Sequence, residues 1–369
     1  MNIKRPIQIL KILAVNGLFL VIGLIILEIS FGGWFNKDKL NRLNLVKDRI
    51  LNFDVSQIYR DPNPIIRYSR DKYGLRTSNL VPNSIEILTV GGSTTDQRLI
   101  RDGETWQDVL QECLKQAGMP LGIANAGVDG QSTYGHIKNF EWWCPYIPDL
   151  KPKYILFYIG LNDFHKDTGD SYDRLGPDDK SFNLKEEIKK NSVLWYLFRT
   201  FRDAYIAVVV KKIGHGAINF NESSWTHEAL QNDYGFLDKR LNDYRNRLRM
   251  LADLTHDFGA KPIFVSQPSR MYRFTTNGIE GWGKPAYYES DYRYNGVDFY
   301  YMMKRLDSVT RAVAIEKGVF FVDLASHNIW VNDDFYDLLH MTPQGAKKVG
   351  EELSKELIII LTAGKDGAH

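Results

Sequence analysis

Short apolar runs alternate with helical patterns along most of this 369-residue chain, and this alternation constrains its fold more than any other feature. Five runs have the length and composition of buried strands: 85–90, 122–126, 154–159, 262–266 and 319–324. Helical patterns cover 106–117, 236–258 and 343–361. Continuous apolar strands that alternate with helices are typical of a parallel sheet covered on both faces. The sequence therefore predicts an α/β fold, a three-layer αβα sandwich around a five-stranded parallel sheet.

The N-terminal segment 7–27 is apolar apart from three polar residues, Gln8, Lys11 and Asn16. As a helix it is long enough to cross a hydrocarbon core of about 30 Å. Basic residues precede it, and Trp34 and Phe35 follow it at the position of the far interface. Because no small-residue cleavage site follows, we favour an uncleaved transmembrane signal anchor over a cleaved signal peptide or a buried core helix.

The direction of this span is less clear from charge. Five basic residues follow the apolar segment and outnumber those before it: Lys37, Lys39, Arg42, Lys47 and Arg49. By the positive-inside rule this count would place the body of the protein in the cytoplasm. The sequence thus predicts a single span, whereas its charges leave the orientation open.

Charge and cysteine content exclude several classes of function. Lys and Arg number 47 against 45 Asp and Glu, a formal net charge of +2, which argues against a nucleic-acid partner. The only two cysteines, Cys113 and Cys144, exclude a disulfide scaffold and a four-cysteine zinc site. They could form one disulfide or remain as two buried free thiols.

Neither the histidines nor the acidic residues show a metal-binding pattern. Six histidines have no ligand spacing and are interpreted as structural or exposed: His136, His165, His215, His227, His256 and His327. Asp333, Asp334 and Asp337 form an acidic cluster that has no matching set elsewhere in the chain. We therefore predict no metal and no cofactor.

Chemically capable residues occur where the strands end, and in parallel α/β sheets ligands bind beyond the carboxyl ends of the strands. After the first strand, Gly91-Gly92-Ser93 can raise a hydroxyl out of the sheet, although Ser93 could equally be a helix N-cap. After the second, Gly130 could present a bare N–H or be an ordinary turn glycine. After the third, Asn162 could aim its amide into the crevice or form an Asx turn.

The last of these fragments, Asp337-Leu338-Leu339-His340, precedes the closing helix. The spacing of three residues puts carboxylate and imidazole within reach of each other. A carboxylate so placed fixes the tautomer of the ring and stabilises the imidazolium. The alternative is an exposed ion pair at a helix start.

In this order, Ser, Gly, Asn and Asp-x-x-His resemble the blocks of the SGNH (GDSL-type) hydrolase superfamily, from residue 85 to the closing helix. Two further segments are similar to membrane-anchored bacterial members: Asp71-Lys72-Tyr73-Gly74-Leu75-Arg76 and Gly103-Glu104-Thr105-Trp106. One position departs from the pattern, because Gly92 stands where the Gly-Asp-Ser-Leu motif has Asp. The resemblance implies a flavodoxin-like sandwich and an ester hydrolase.

The resemblance also implies roles for individual residues. Ser93 would be the nucleophile, His340 the general base and Asp337 its orienting carboxylate. The backbone N–H groups of Ser93 and Gly130 and the Asn162 amide would form the oxyanion hole.

The expected substrate is an O-acyl, most simply O-acetyl, ester on an envelope glycan, and the family's anchored members place the catalytic domain outside the cytoplasm. Two alternatives remain at this point. One is an O-acetyltransferase that uses the same residues, and the other is a non-catalytic glycan-binding or assembly subunit. Partners beyond the membrane and an acylated substrate are not predicted.

The expected organisation is a stub and anchor at 1–35, a connector at 36–84 and a catalytic domain at 85–369 with insertions at about 164–235 and 271–303. Within the first insertion, 193–210 is apolar but charged, so it could be a lid, a membrane-surface helix or a packed cap helix. The second insertion is rich in aromatic residues, including Trp282 and Tyr288, which could stack on sugar rings or pack on the sheet.

Overall fold

The computed structural model describes residues 4–35, 45–77, 80–166, 216–288 and 292–366 continuously, with isolated residues at 40, 43 and between 169 and 202. The chain divides into two compact units. One contains residues 1–44 and 176–213, and the other contains 45–175 and 214–369. The domain boundaries expected at 35 and 84 stay predictions.

The first unit is built on helix α1, Lys4–Phe31. Its stretch Lys11–Phe31 has a mean hydropathy of 2.6 and no buried residues, and it is long and apolar enough to cross a membrane. Near its end, the Glu28 carboxylate accepts hydrogen bonds from the hydroxyl of Ser192 and from the backbone N–H groups of Val193 and Leu194, the last two at 3.2 Å. Most of the apolar segment predicted at 193–210 lies outside the described residues.

The second unit contains twelve strands and six helices among its described residues. The strands are β1 Arg49–Asp54, β2 Ile65–Arg70, β3 Ile85–Gly91, β4 Gly122–Asn125, β5 Tyr154–Tyr158, β6 Trp225–Thr226, β7 Lys261–Val265, β8 Tyr272–Thr275, β9 Gly278–Trp282, β10 Ala286–Tyr288, β11 Tyr292–Tyr294 and β12 Phe320–Val322. The helices are α2 Ser93–Asp96, α3 Trp106–Gln116, α4 Thr133–Trp142, α5 Asp238–Asp257, α6 Gly296–Lys317 and α7 Pro343–Asp366.

Five of these strands form the central parallel sheet, in the order β12-β7-β5-β3-β4. All five predicted strands are present within a residue or two of their expected ends, and α3, α5 and α7 match the predicted helices. Two further helices, α4 and α6, were not predicted. Strand β3 lies between β4 and β5, so the chain reverses direction across the sheet after β4, and this reversal creates the switch-point crevice at the carboxyl ends.

Helices cover both faces of the sheet, which confirms the predicted three-layer sandwich. On one face, Ile87, Leu156 and Ile263 are fully buried in a cluster with residues of α3 and α7 such as Leu110 and Leu353. On the other face, side chains that alternate with these pack against α4 and α5, as in the contact of Phe157 with Phe264 and Phe140. Burial on both faces explains why the strands are continuous apolar runs.

The predicted connector contributes structure to this unit. Strands β1 and β2 pair as an antiparallel ribbon, from Arg49 opposite Arg70 to Asp54 opposite Ile65. The inward-facing residues Ile66, Tyr68 and Arg70 are buried, whereas Ile65 and Arg67 are exposed and Ser69 is half-buried. The second ribbon strand thus delivers two polar side chains, Tyr68 and Arg70, to the interior, where both donate to Asp96 at the end of α2.

The second predicted insertion folds largely into small antiparallel sheets. Strands β8 and β9 form one together with β6 of the first insertion, and β10 with β11 forms a hairpin. Tyr288 is only 2% exposed and lies against Phe164, so its ring packs in the interior. Trp282 packs edge-on against Trp225 and Phe220. For these two rings the structure favours packing over stacking on a sugar.

The two cysteines are free thiols, with Cys113 half-buried and Cys144 buried. Burial raises the pKa of the Cys144 thiol to about 12, so this sulfur is an inert part of the core.

Candidate active site

Ser93 stands at the first position of the short helix α2, directly beyond the end of β3. The turn into this helix is tight. A Cβ at Gly91 would overlap the Thr95 side chain and approach the Tyr158 carbonyl, so the turn requires glycine there. The helix ends at Gln97, a non-glycine residue with a positive φ of 49°. Such strained backbone is stable only when surrounding contacts hold it.

Asp337, His340 and Ser93 lie in a continuous line of contacts. One Asp337 oxygen accepts from the backbone N–H groups of Leu339 and His340, at 2.8 and 2.7 Å. The other lies 2.8 Å from Nδ1 of His340, and Nε2 of His340 lies 2.8 Å from Oγ of Ser93. With its proton on Nδ1, the ring accepts from the serine hydroxyl. One carboxylate therefore fixes both the turn and the imidazole. The imidazole in turn contacts Ser93, which is 247 positions away in the sequence.

The His340 ring also has an aromatic neighbour. The Tyr336 ring lies nearly parallel to it, with centroids 5.6 Å apart and an interplanar angle of 9°. Tyr336 is buried, and the pKa of its phenol is raised, chiefly by burial. The electron-rich face of this neutral ring can stabilise a positive charge on His340.

The three predicted oxyanion donors lie close to one another through a shared loop. Asn162 Nδ2 donates to the Gln131 carbonyl at 2.8 Å, and a Cβ at Gly92 would overlap this same nitrogen. Gly130, with a φ of 73°, precedes Gln131 in that loop. Within the described part of the chain, neither the Ser93 nor the Gly130 backbone N–H donates a hydrogen bond. Neither N–H is therefore occupied by an acceptor within that part of the chain.

A buried polar network supports the loop that carries Gly130 and Gln131. Lys166 Nζ donates to the Gly130 carbonyl at 2.7 Å and pairs with Asp173 at 3.1 Å. Asp163, which follows Asn162, accepts from Thr133 and lies 3.4 Å from Arg247. Burial raises the pKa of Asp163, although Arg247 acts in the opposite direction. The loop that carries Gly130 is therefore fixed by groups shielded from solvent, where such interactions are strongest.

Two supporting residues were not predicted from the sequence. The Arg76 guanidinium donates to the carbonyls of Asp96, Gln97 and Ile100 at 2.8, 2.7 and 2.5 Å. It thereby holds the strained end of α2. Arg76 belongs to the segment from Asp71 to Arg76, which resembles the family. That resemblance was the sequence signal that could have identified Arg76 as a supporting residue.

The other is Gln267, two residues beyond the end of β7. Its Nε2 donates to Thr94 Oγ1 at 2.6 Å, and its Oε1 accepts from the Leu161 N–H at 2.9 Å. It ties the residue after Ser93 to the residue before Asn162. Like Ser93 and Asn162, Gln267 comes just after a predicted strand, in this case the fourth. It was not identified because an isolated glutamine belongs to no recognisable motif.

The acidic cluster near His340 is not arranged as a cation site. Among the residues that the structure describes, no group of three or more His, Cys, Asp or Glu side chains could hold a metal ion. Asp334 is fully buried and pairs with Lys348 at 2.6 Å, while Asp337 faces His340.

A small cavity of about 20 Å³ opens beside Ser93 and His340. Its buried lining is mostly apolar, as at Ile100, Trp106 and Tyr158, but also includes the polar residues Asp96 and Gln97. Arg98 and Asp129, which form an ion pair, also line it. A serine in contact with an imidazole, beside a cavity at the carboxyl edge of a parallel sheet, is the arrangement of an α/β ester hydrolase.

Comparison with known proteins supports this class. The model of the GDSL-like Lipase/Acylhydrolase family matches residues 89–348, which is more than half of the chain. The chain belongs to this family, and it is an ester hydrolase. No curated protein sequence matches it.

Several solved structures are similar in fold. An acetylxylan esterase from Geobacillus stearothermophilus, solved as a catalytic mutant, is 14% identical over 73% of this chain and 92% of its own, with a TM-score of 0.41. A carbohydrate acetylesterase from Sinorhizobium meliloti is 10% identical over 75% and 99%, with a TM-score of 0.40. A psychrotrophic esterase from Pseudoalteromonas sp. is 11% identical over 75% and 98%, also with a TM-score of 0.40.

Proposed function

We propose that this protein is a membrane-anchored serine esterase that removes O-acyl groups, chiefly O-acetyl groups, from a glycan of the cell envelope. Ser93, His340 and Asp337 form its catalytic triad, and Ser93, Gly130 and Asn162 form its oxyanion hole. The observation that carries the proposal is the chain of two 2.8 Å contacts from Asp337 through His340 to Ser93. These distances are within the range for a nucleophile and its base.

The reaction follows from the chemistry of these groups. Ser93 Oγ attacks the acyl carbonyl while His340 Nε2 takes the hydroxyl proton, and the carbonyl oxygen becomes an oxyanion. When the tetrahedral intermediate collapses, the ester C–O bond breaks and His340 gives its proton to the leaving alcohol. Water, deprotonated by His340, then hydrolyses the acyl-serine and restores the free enzyme. Asp337 stabilises the imidazolium in both halves without becoming protonated itself.

Helix α1 supports membrane anchoring, because the stretch Lys11–Phe31 is apolar, unburied and long enough to span. We propose that it is retained as an anchor and that the catalytic domain, residues 85–369 with its insertions, faces the periplasm or cell exterior. Acylated envelope glycans are found on that side of the membrane. A fusion of alkaline phosphatase after His369 tests the orientation, since the phosphatase is active only outside the cytoplasm. An inactive phosphatase together with a fluorescent cytoplasmic reporter at the same position would refute it.

The catalytic proposal is tested with the full-length chain in detergent, by hydrolysis of p-nitrophenyl acetate. Wild type should be active and Ser93→Ala inactive, while Ser308→Ala, which removes an exposed hydroxyl on α6, should match wild type. Equal activity in wild type and Ser93→Ala would exclude Ser93 as nucleophile. Transfer of acetyl to a glycan acceptor faster than to water would assign the same residues to an O-acetyltransferase instead.

A further inference from the structure

The cavity beside Ser93 has two chemically different ends. Its buried lining is mostly apolar, with Ile100, Trp106 and Tyr158 at most 2% exposed, and also includes the buried polar residues Asp96 and Gln97. The ion pair of Arg98 and Asp129 also lines the cavity, and these side chains are 40% and 36% exposed. One end is therefore closed and largely apolar, whereas the other carries an ion pair that is open to solvent.

The cavity as a whole has room for only a small group. A volume of about 20 Å³ is little more than the ~10–15 Å³ that one water molecule needs. A methyl group fits this space, but a longer acyl chain would have to displace buried rings, which close packing makes costly. The acyl part of a short ester thus fits the closed end, and the alcohol part must point toward the open end, where it can leave.

The two charged residues are positioned by the loops that carry the reacting groups. Arg98 follows Gln97, the residue that ends the Ser93 helix, and Asp129 precedes Gly130. As an exposed ion pair, they contribute little to stability. They do offer guanidinium donors and carboxylate acceptors side by side at the mouth of the cavity. Vicinal hydroxyl groups, which both donate and accept, are matched by such a pair.

We propose that Arg98 and Asp129 form a subsite that binds ring hydroxyl groups of the alcohol part of the substrate, so that the enzyme selects acetyl esters of polyhydroxylated rings such as sugars. This inference rests on the proposed esterase function and adds to it the residues that recognise the alcohol. In this proposal the role of the ion pair is to recognise the substrate, and not to close the cavity or hold the loops in place.

The test compares two acetyl esters of similar ring size, using the full-length chain in detergent. One set consists of mono-O-acetylated methyl glycosides, and the other ester is cyclohexyl acetate, whose ring has no hydroxyl groups. Wild type should prefer at least one glycoside over cyclohexyl acetate by kcat/KM. In Arg98→Met and Asp129→Asn this preference should fall about 10-fold, as expected for the loss of one or two hydrogen bonds. Arg249→Met, which breaks an ion pair of similar exposure between α5 and α6, should retain the preference.

The outcomes are separable. A wild-type enzyme that hydrolyses both esters without preference overturns the subsite while the esterase stands. A proportional loss on both esters in the variants also overturns it, because the pair would then only hold the loops. Hydrolysis of neither ester by wild type refutes the esterase function itself, and the subsite with it.

Discussion

Gly92 and Asn162 lie so close together that a side chain at position 92 would require the Asn162 amide to move. A Cβ on Gly92 would overlap Nδ2 of Asn162 and approach the Gln131 carbonyl. The Asn162 amide therefore lies directly against the backbone that leads into Ser93. This contact gives a local reason for glycine at the position where the family motif has aspartate.

Replacing Gly92 should therefore damage catalysis through Asn162. In Gly92→Ala, we expect the Asn162 amide to move away from the oxyanion position, and kcat on p-nitrophenyl acetate to fall by up to about 100-fold. KM should change little, because the donor acts mainly in the transition state. Gly216→Ala is the control, since a Cβ there meets no neighbour among the residues that the structure describes. Unchanged kcat in Gly92→Ala would show that the amide is not displaced or not needed.

Direct removal of the Asn162 amide should have a similar effect. Asn162→Ala deletes one proposed oxyanion donor, which typically costs about 2.7–4 kcal/mol of transition-state stabilisation. We expect kcat to fall by roughly 100-fold or more with little change in KM. Steady-state kinetics check this, and the double variant with Gly92→Ala should be little worse than Asn162→Ala alone. An unaltered kcat would remove Asn162 from the proposed site.

Gln267 is expected to position the nucleophile turn relative to the Asn162 turn. Gln267→Ala removes both of its hydrogen bonds, to Thr94 and from Leu161. We expect kcat to fall about 10-fold and the protein to lose roughly 1–3 kcal/mol of stability. Kinetics and denaturant unfolding measure the two effects.

A matched variant separates position from stability. Gln111 also uses its side chain to bind a backbone N–H, that of Ile123, but at the opposite end of the sheet. Gln111→Ala should lose stability and keep kcat. Equal kcat in the two variants would mean that Gln267 has only a structural role.

The Tyr336 ring should assist catalysis by stabilising the imidazolium of His340. Its nearly parallel stacking at 5.6 Å places the ring face against the positive charge that forms during the reaction. A cation–π contact of this kind contributes about 0.5–2 kcal/mol. Tyr336→Leu should therefore lower kcat about 2- to 30-fold, whereas Tyr336→Phe, which keeps the ring, should stay near wild type. A loss of the same size in both variants would assign the effect to the hydroxyl group instead.

Acid should destabilise the second unit through His136. This histidine is buried, and burial, with Lys166 nearby, lowers its pKa to about 4, against the opposing effect of Asp173. Between pH 6.5 and about 4 the unfolded chain binds a proton that the folded chain does not. The contribution of neutral His136 is thus complete above pH 6.5 and declines as the pH falls toward 4, by at most about 1.4 kcal/mol per pH unit.

The corresponding measurement is the free energy of unfolding in denaturant between pH 7 and 4, for wild type and His136→Gln. Wild type should lose stability more steeply with falling pH than the variant. Parallel pH profiles would show that His136 does not titrate in this range on unfolding.

The sequence by itself predicted the strands of the central sheet and three of the helices that flank it. Buried parallel strands are continuous apolar runs, and this pattern is local and visible in the chain. The same rule located Ser93, Gly130 and Asn162, because polar residues just after such runs must lie at the carboxyl edge. Helix α6 was not predicted because its aromatic N-terminal part is equally consistent with a packed loop. Helix α4 was not predicted because its polar, glycine-containing sequence has little helical periodicity.

Tertiary structure decided how these residues meet. The strand order brings His340 to within 2.8 Å of Ser93, although 247 positions separate them, and no local pattern encodes that distance. The tertiary structure also determined that Arg76 holds the end of α2 and that the Asn162 amide lies where a side chain at position 92 would be. A periodic pattern reports which face of an element is buried, because burial depends on the element's own residues. Contacts between side chains of different elements depend on how the whole sheet is assembled, and only the folded chain sets them.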